Sequence, residues 1–455
     1  VTAAGLVELA ESAAGDDQEA FAVLYRLSAI EVWERLSYYL LMTLLVLFLT
    51  APVAQGGFEW EAPAALGLYG GLVAAMQVLP VFGGALSDRL LGPARALRIG
   101  AVLMLAGHFT LAGPHAVPLL VAPGDLADRL GLGTLYAGLA LVALGNALFK
   151  PNISAIIGRL PFAGNASRDA GFSLFHMFVN IGGLIAIVIG GWVAVRFGYG
   201  PAFTMAGFGM VAALVLMRRY RADIKGAIAS PAAASAAPSP TLQSQGAAHG
   251  WILPASLVLI VVTLFGVTLF QMLGTLNLFA ASRVEASLLG MDFPVVWILS
   301  MNPVVMLLVM PPLARRWRAG RGPGANLSLS AKAAAGFLFL ALAFAGLSLA
   351  ETLAGDARVP AIALAATIAL MTLAELLVGP SALSSITRIV PTRHGALAVG
   401  LFYGALGLGG YLSGQIGASA ETLGFGTVFM LIASACAATC IVLAALLRAT
   451  ARIGL

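Results

Sequence analysis

Twelve apolar runs, each about as long as a bilayer is thick, dominate this chain of 455 residues and leave few folds open to it. A helix that crosses a membrane needs about 20 mostly apolar residues. Such runs fall at 29–50, 65–87, 97–117, 133–157, 171–195, 201–218, 252–280, 293–314, 331–350, 359–386, 395–418 and 425–447. Composition agrees, with 60% hydrophobic and 10% charged residues, where a soluble domain has about 25% charged. A water-soluble chain of this size could not cover its surface with so few polar groups, so lipid must cover part of it. The expected fold class is an all-α polytopic membrane protein. One stretch, 219–250, interrupts the pattern. It follows Arg218, opens with Arg219, Arg221 and Lys225, and becomes an Ala/Pro/Ser run that cannot bury a core and reads as a flexible linker. The chain thus divides into an N-terminal tail (1–28), a six-helix bundle (29–218), a linker (219–250) and a second six-helix bundle (251–455).

The formal charge of +5 does not indicate nucleic-acid binding, because the basic residues are scattered through short loops. They sort by side instead. With the N-terminus inside, Arg26, Arg89, Arg95, Arg98, Arg159, Arg168, the linker cluster, Arg315, Arg316, Arg318, Arg321, Lys332, Arg388, Arg393, Arg448 and Arg452 share the cytoplasmic side. Only Arg129, Arg196, Arg283 and Arg358 face the other way. This asymmetry places an even number of spans with both termini in the cytoplasm. The first twenty residues, with Glu8, Glu11, Asp16, Asp17 and Glu19, are too acidic for a cleavable signal. Cys436 and Cys440, four apart in an apolar run, read as small packing residues.

Ionisable residues near the bilayer centre cost roughly 2.5–3.5 kcal/mol each on insertion scales, so retained ones are functional candidates. Those left after the loops are set aside are Glu31, Glu34 and Arg35 in the first span, Lys150 in the fourth and Glu375 in the tenth. The first three share one helix face. Glu31 and Arg35 are expected to pair, leaving Glu34 to face Lys150 or to bind a proton; mutual neutralisation that locks two helices together is the structural alternative. Glu375 has no basic residue nearby in sequence, which suits a proton, a cation or an amine, or else an interhelical hydrogen bond. Asn302-Pro303 and Gly379-Pro380 are places where helices eight and ten could break or kink. The glycines from Gly404 to Gly417 suggest close helix packing.

These residues lie in motifs. Glu31-Val-Trp-Glu-Arg-Leu-Ser-Tyr-Tyr39 resembles the ExxERFxYYG signature of the proton-dependent oligopeptide transporter family, and Gly145-Asn-Ala-Leu-Phe-Lys150-Pro-Asn-Ile-Ser154 is similar to its GNGLFKPNIS segment. Arg168-Asp-Ala-Gly-Phe-Ser-Leu-Phe-His176, continuing to Asn180 and Gly182, resembles RDAGFSxFYxxINxG, and Gly83 to Gly92 looks like the major facilitator loop between helices two and three. Further matches at Asn277–Ala280, Asn302-Pro303, Glu375–Pro391 and Gly410–Gln415 spread the resemblance over most helices in order. It implies a major facilitator fold of twelve helices in two bundles, and a proton-coupled symporter importing di- and tripeptides by alternating access. No cofactor or metal is implied. The implied partners are a small peptide, protons and the bilayer, and the implied setting is a monomer in the bacterial inner membrane. By the same resemblance, Glu31, Glu34, Arg35 and Lys150 would couple the proton. Lys150 would also reach the substrate carboxylate, Tyr38 and Tyr39 would line the cavity, Asn302 would bind peptide backbone and Glu375 would hold the α-ammonium. Asp88 and Arg89 would gate the cytoplasmic side.

Four positions depart from the family pattern. Met42 stands where an arginine is usual, Leu40 replaces the glycine after the tyrosine pair, Phe270 replaces an acid before Gln271, and His176 replaces a tyrosine. His176, whose imidazole titrates near pH ~6.5, is a candidate substrate or proton ligand, or simply a hydrogen-bonding neighbour. The losses leave open a transporter of another small solute, such as an amino acid, a peptide-like drug or an organic anion, with altered or absent proton coupling. A non-transporting receptor on the same fold also remains open. No HExxH, intramembrane aspartate pair or Ser/His arrangement at catalytic spacing is present, so an enzyme is not expected.

Overall fold

A computed structural model describes residues 18–121, 124–161, 165–229, 251–288, 291–318, 329–390 and 395–452. The acidic tail before residue 18 and the Ala/Pro/Ser stretch 230–250 lie outside the described residues, as does the side chain of Arg168. The long helices are α1 (Gln18–Thr50), α2 (Ala62–Leu86), α3 (Pro93–Leu111), α4 (Asp125–Gly158), α5 (Asn165–Ile185) and α6 (Tyr199–Arg219). After the linker come α7 (Ile252–Leu269), α8 (Met301–Arg318), α9 (Leu329–Ala354), α10 (Ala361–Ile389), α11 (Gly395–Ala418) and α12 (Phe425–Arg452). Eleven helices among the described residues are long and apolar enough to cross a membrane. The remaining one, α11, is 24 residues long and holds no Asp, Glu, Lys, Arg or His. Large apolar side chains such as Val102, Leu144, Phe208, Ile260, Leu342 and Ile441 point outward, as they must where the solvent is lipid. The chain is a multi-pass membrane protein.

Several boundaries differ from the expected ones. The first helix begins at Gln18 rather than 29. The start of the expected linker is a helix, Arg221–Ala229, which buries Ile224 and Ala227 and is tied to α1 by the Arg26–Asp223 ion pair at 2.9 Å. The expected span 252–280 is broken. α7 stops at Leu269, residues 270–274 form turns, and a second helix runs from Thr275 to Arg283. A close approach from α2 falls at the break. The Tyr69 hydroxyl donates to the Phe270 carbonyl at 3.1 Å, and a Cβ at Gly274 would sit 2.8 Å from the Tyr69 ring. Helix eight is entered through a 3₁₀ segment, Val295–Ser300, and Pro303 falls in the first turn of α8, where its missing N–H is tolerated. α10 continues unbroken through Pro380 to Ile389.

Small residues let these helices approach in lipid, where apolar burial gives no net driving force between them. A Cβ on Gly100 of α3 would lie 2.7 Å from the Gly145 carbonyl of α4, and the reverse holds for Gly145. Between the halves, Gly70 of α2 packs against the backbone of Gly410, Tyr411 and Gly414 on α11. Gly404 meets nothing within 4 Å, so the glycine stripe serves packing in its later part only.

Candidate functional site

α1 places most of the site. It is the most buried of the spans, and along it Glu31, Glu34 and Arg35 are 4%, 0% and 6% exposed. Room for it comes from Gly182 and Gly183 on α5; a Cβ on Gly182 would meet Arg35 Cβ at 2.8 Å, and one on Gly183 would meet the Tyr39 ring at 3.1 Å. The expected Glu31–Arg35 pair forms, but Glu34 is not left free of the arginine. Arg35 turns its fork onto Glu34, Nε to Oε2 at 2.5 Å and a terminal nitrogen to Oε1 at 2.7 Å, while the same Nε lies 3.0 Å from Glu31 Oε1. A planar guanidinium matches both oxygens of one carboxylate, so Glu34 is fully engaged. Glu31 Oε2 is the buried oxygen left without a partner.

Lys150 does not ion-pair with either acid here, although it lies close enough to feel both charges. Its Nζ donates to Gln77 Oε1 at 2.9 Å and sits 5.2 Å from the ring centroid of Tyr403, on α11 in the other half. Tyr38 lies under the Arg35 guanidinium at 4.7 Å, and Tyr39 meets Tyr38 edge-on at 5.4 Å. The charges of both Arg35 and Glu375 act on Tyr39. Glu375 on α10 accepts from Asn302 Nδ2 at 3.0 Å, and the same Nδ2 reaches Thr372 Oγ1 at 3.0 Å. One acid and one amide are thereby joined across α8 and α10. Glu375 has no ion-pair partner among the described residues.

The other candidates stand apart. His176 is half-buried on α5; its carbonyl accepts from Asn180 Nδ2 at 2.9 Å, and its ring has no hydrogen bond among the described residues. Asp88 and Arg89 occupy an exposed π-turn, Ser87–Leu91, at the end of α2 and form no ion pair among the described residues. Met42 is almost fully buried one turn beyond Tyr38, and Phe270 occupies the break after α7. Gln77, Thr372 and Tyr403 escaped the sequence reading because a search for intramembrane charge passes over neutral polar side chains. A Gln inside an apolar run was the available signal.

On the side of the molecule opposite the α1 N-terminus, the halves are tied by side chains to backbone. Asn277 Nδ2 donates to the Thr43 carbonyl, and Trp297 Nε1 donates to Val188 O at 2.8 Å.

Long apolar helices that bury ionisable side chains from both the first and the second part of the chain define a polytopic helical membrane protein with a polar interior site. The sequence profile of the POT family matches residues 94–218 and 248–428, and the chain belongs to that family. It is 28% identical over 457 residues to the peptide transporter YePEPT of Yersinia enterocolitica, covering 85% of each chain. It is 36% identical over 196 residues to a di-/tripeptide transporter of Lactococcus lactis, covering 42% of this chain and 36% of that one. Among solved structures, the peptide transporter POT in complex with sulfate superposes with a TM-score of 0.81 at 24% identity, covering 95% of each chain. A POT family transporter in complex with 5-aminolevulinic acid gives 0.80 at 20% identity, covering 93% of this chain and 95% of that one.

Proposed function

We propose that the chain is a proton-coupled symporter importing di- and tripeptides by alternating access, working as a monomer in the bacterial inner membrane with both termini cytoplasmic. The observation that carries this reading is the division of charge: Lys150 belongs to the first half, beside Tyr403 of the second, and Glu375, bonded to Asn302, belongs to the second. A short zwitterion needs a cation for its carboxylate and an anion for its ammonium. Ligands drawn from both halves are satisfied together only when the halves close on it, so binding favours the closed arrangement. The names of the relatives, peptide transporters of similar length, support the same substrate class.

Coupling is assigned to the α1 cluster. Two acids share one guanidinium there, and Glu31 keeps an unpaired buried oxygen, the position best suited to gain a proton. Lys150, released from Gln77, would take the substrate carboxylate; Tyr38, His176 and Asn302 would line the cavity, and Asp88 and Arg89 would act at the cytoplasmic mouth. About 100 mV gives about 2.3 kcal/mol per proton, and one pH unit adds about 1.4 kcal/mol. Together these support roughly 500-fold accumulation of a neutral solute. One proton suffices.

The test is uptake of labelled dialanine into liposomes holding the purified protein, with and without an inward proton gradient and negative interior. Gradient-driven accumulation, lost in Lys150→Ala, is the expected result. Movement of dialanine only down its own gradient would overturn the coupling. No movement of dialanine, with movement of an amino acid or organic anion, would replace the substrate class.

A further inference from the structure

Thr372 sits one turn before Glu375 on α10 and is fully buried. Its hydroxyl hydrogen is already committed, since Oγ1 donates to the Ile368 carbonyl at 2.8 Å. A hydroxyl has a single hydrogen and two lone pairs, so Thr372 can offer Asn302 only an acceptor. Glu375 Oε2, an acceptor when ionised, lies on the other N–H of the same amide. Both hydrogens of Asn302 Nδ2 are therefore used. Turning the amide over would set Oδ1 against two oxygen lone pairs at about hydrogen-bond distance.

Glu375 alone would not hold that orientation. A carboxyl that has taken up a proton can present an O–H and accept either face of the amide. Thr372 could do so only by giving up its bond to the Ile368 carbonyl, so it favours the observed face of the amide whatever the protonation of Glu375. Back-bonding from Thr to the carbonyl four residues earlier is ordinary in helices; here it makes the hydroxyl a lone-pair anchor for a residue of another helix. Asn302 Oδ1 receives no donor among the described residues, and it remains accessible, unlike the buried unpaired amide oxygens of Asn146, Gln271 and Asn277.

We propose that Thr372 is a positioning residue that fixes the polarity of the Asn302 amide, making Asn302 Oδ1 a dedicated acceptor for a substrate N–H. This rests on the peptide reading above and narrows it: the favoured substrate presents an amide N–H at this point, and one with that nitrogen methylated is disfavoured. An unpaired acceptor in the bound state loses about one neutral hydrogen bond, roughly a tenfold preference.

The experiment compares dialanine with alanyl-sarcosine, which lacks the peptide N–H, as substrates in liposomes. Wild type is expected to show a KM roughly tenfold lower for dialanine. Thr372→Val raises the KM for dialanine, leaves kcat near its starting value and brings the ratio of the two peptides toward one; Thr372→Ser restores it. Thr372→Ala repeats the measurement if the valine variant does not yield folded protein. A ratio unchanged in Thr372→Val or Thr372→Ala, with dialanine transport intact, overturns this inference and leaves the peptide reading standing. A wild-type protein that accumulates neither peptide overturns the peptide reading and this inference with it.

Discussion

At the residue scale, Glu31 and Glu34 look equivalent in sequence, and their surroundings separate them. Glu34 occupies both sides of the Arg35 fork and has no exposed surface; Glu31 shares one nitrogen of that fork and leaves Oε2 unpaired. Breaking a buried pair by removing one charge costs about 3–5 kcal/mol, because the partner is left uncompensated. Glu34→Gln is therefore expected to lower the melting temperature of detergent-purified protein clearly more than Glu31→Gln. Glu31→Gln should abolish gradient-driven accumulation of dialanine while exchange of internal for external dialanine continues, since exchange needs no net proton movement. Equal melting shifts, or accumulation that survives Glu31→Gln, would place the proton elsewhere. Lys150 shows the same lesson: its identity was legible, and its partner in this state, Gln77, was not.

At the element scale, the informative feature is the interruption between α7 and Thr275–Arg283. The run 252–280 is apolar enough to be read as one continuous helix, and nothing in its sequence forces a break as a proline would. At the break sits Tyr69, whose ring packs on Gly274 while its hydroxyl donates to the Phe270 carbonyl. Tyr69→Phe is expected to reduce stability by about 1 kcal/mol, the worth of one hydrogen bond. Gly274→Ala pushes a Cβ into the same ring and should cost at least as much. The double variant should fall short of the sum of the two, since both remove one contact; full additivity in thermal melts would show that the break has another cause. Helix ten is the converse case. Gly379-Pro380 is a conventional breaking signal, and α10 continues through it to Ile389, supported by neighbouring helices as is common in membranes.

At the scale of the whole molecule, the two halves are held on one side by Asn277 on Thr43 and by Trp297 on Val188. Alternating access requires these contacts to break when that side opens. Asn277→Ala should shift the population toward the state open there. Spin labels at Gln55→Cys and Asp356→Cys, exposed positions of the two halves on that side, report it. With Cys436 and Cys440 replaced by alanine, the Asn277→Ala protein is expected to gain a longer-distance component; an unchanged distribution would show that Asn277 does not hold the halves. The sequence by itself determined the membrane class and the family, and it picked out the ionisable residues that the helices bury. Bilayer thickness fixes span length, and the cost of burying charge makes every retained one visible in a linear reading. Only the tertiary structure decided which acid takes the arginine fork, where helix seven stops, and which neutral side chains bond Lys150 and Asn302. Those outcomes depend on contacts between residues far apart in the chain, and neutral hydrogen-bonding groups leave no signal in sequence comparable to a charge in lipid.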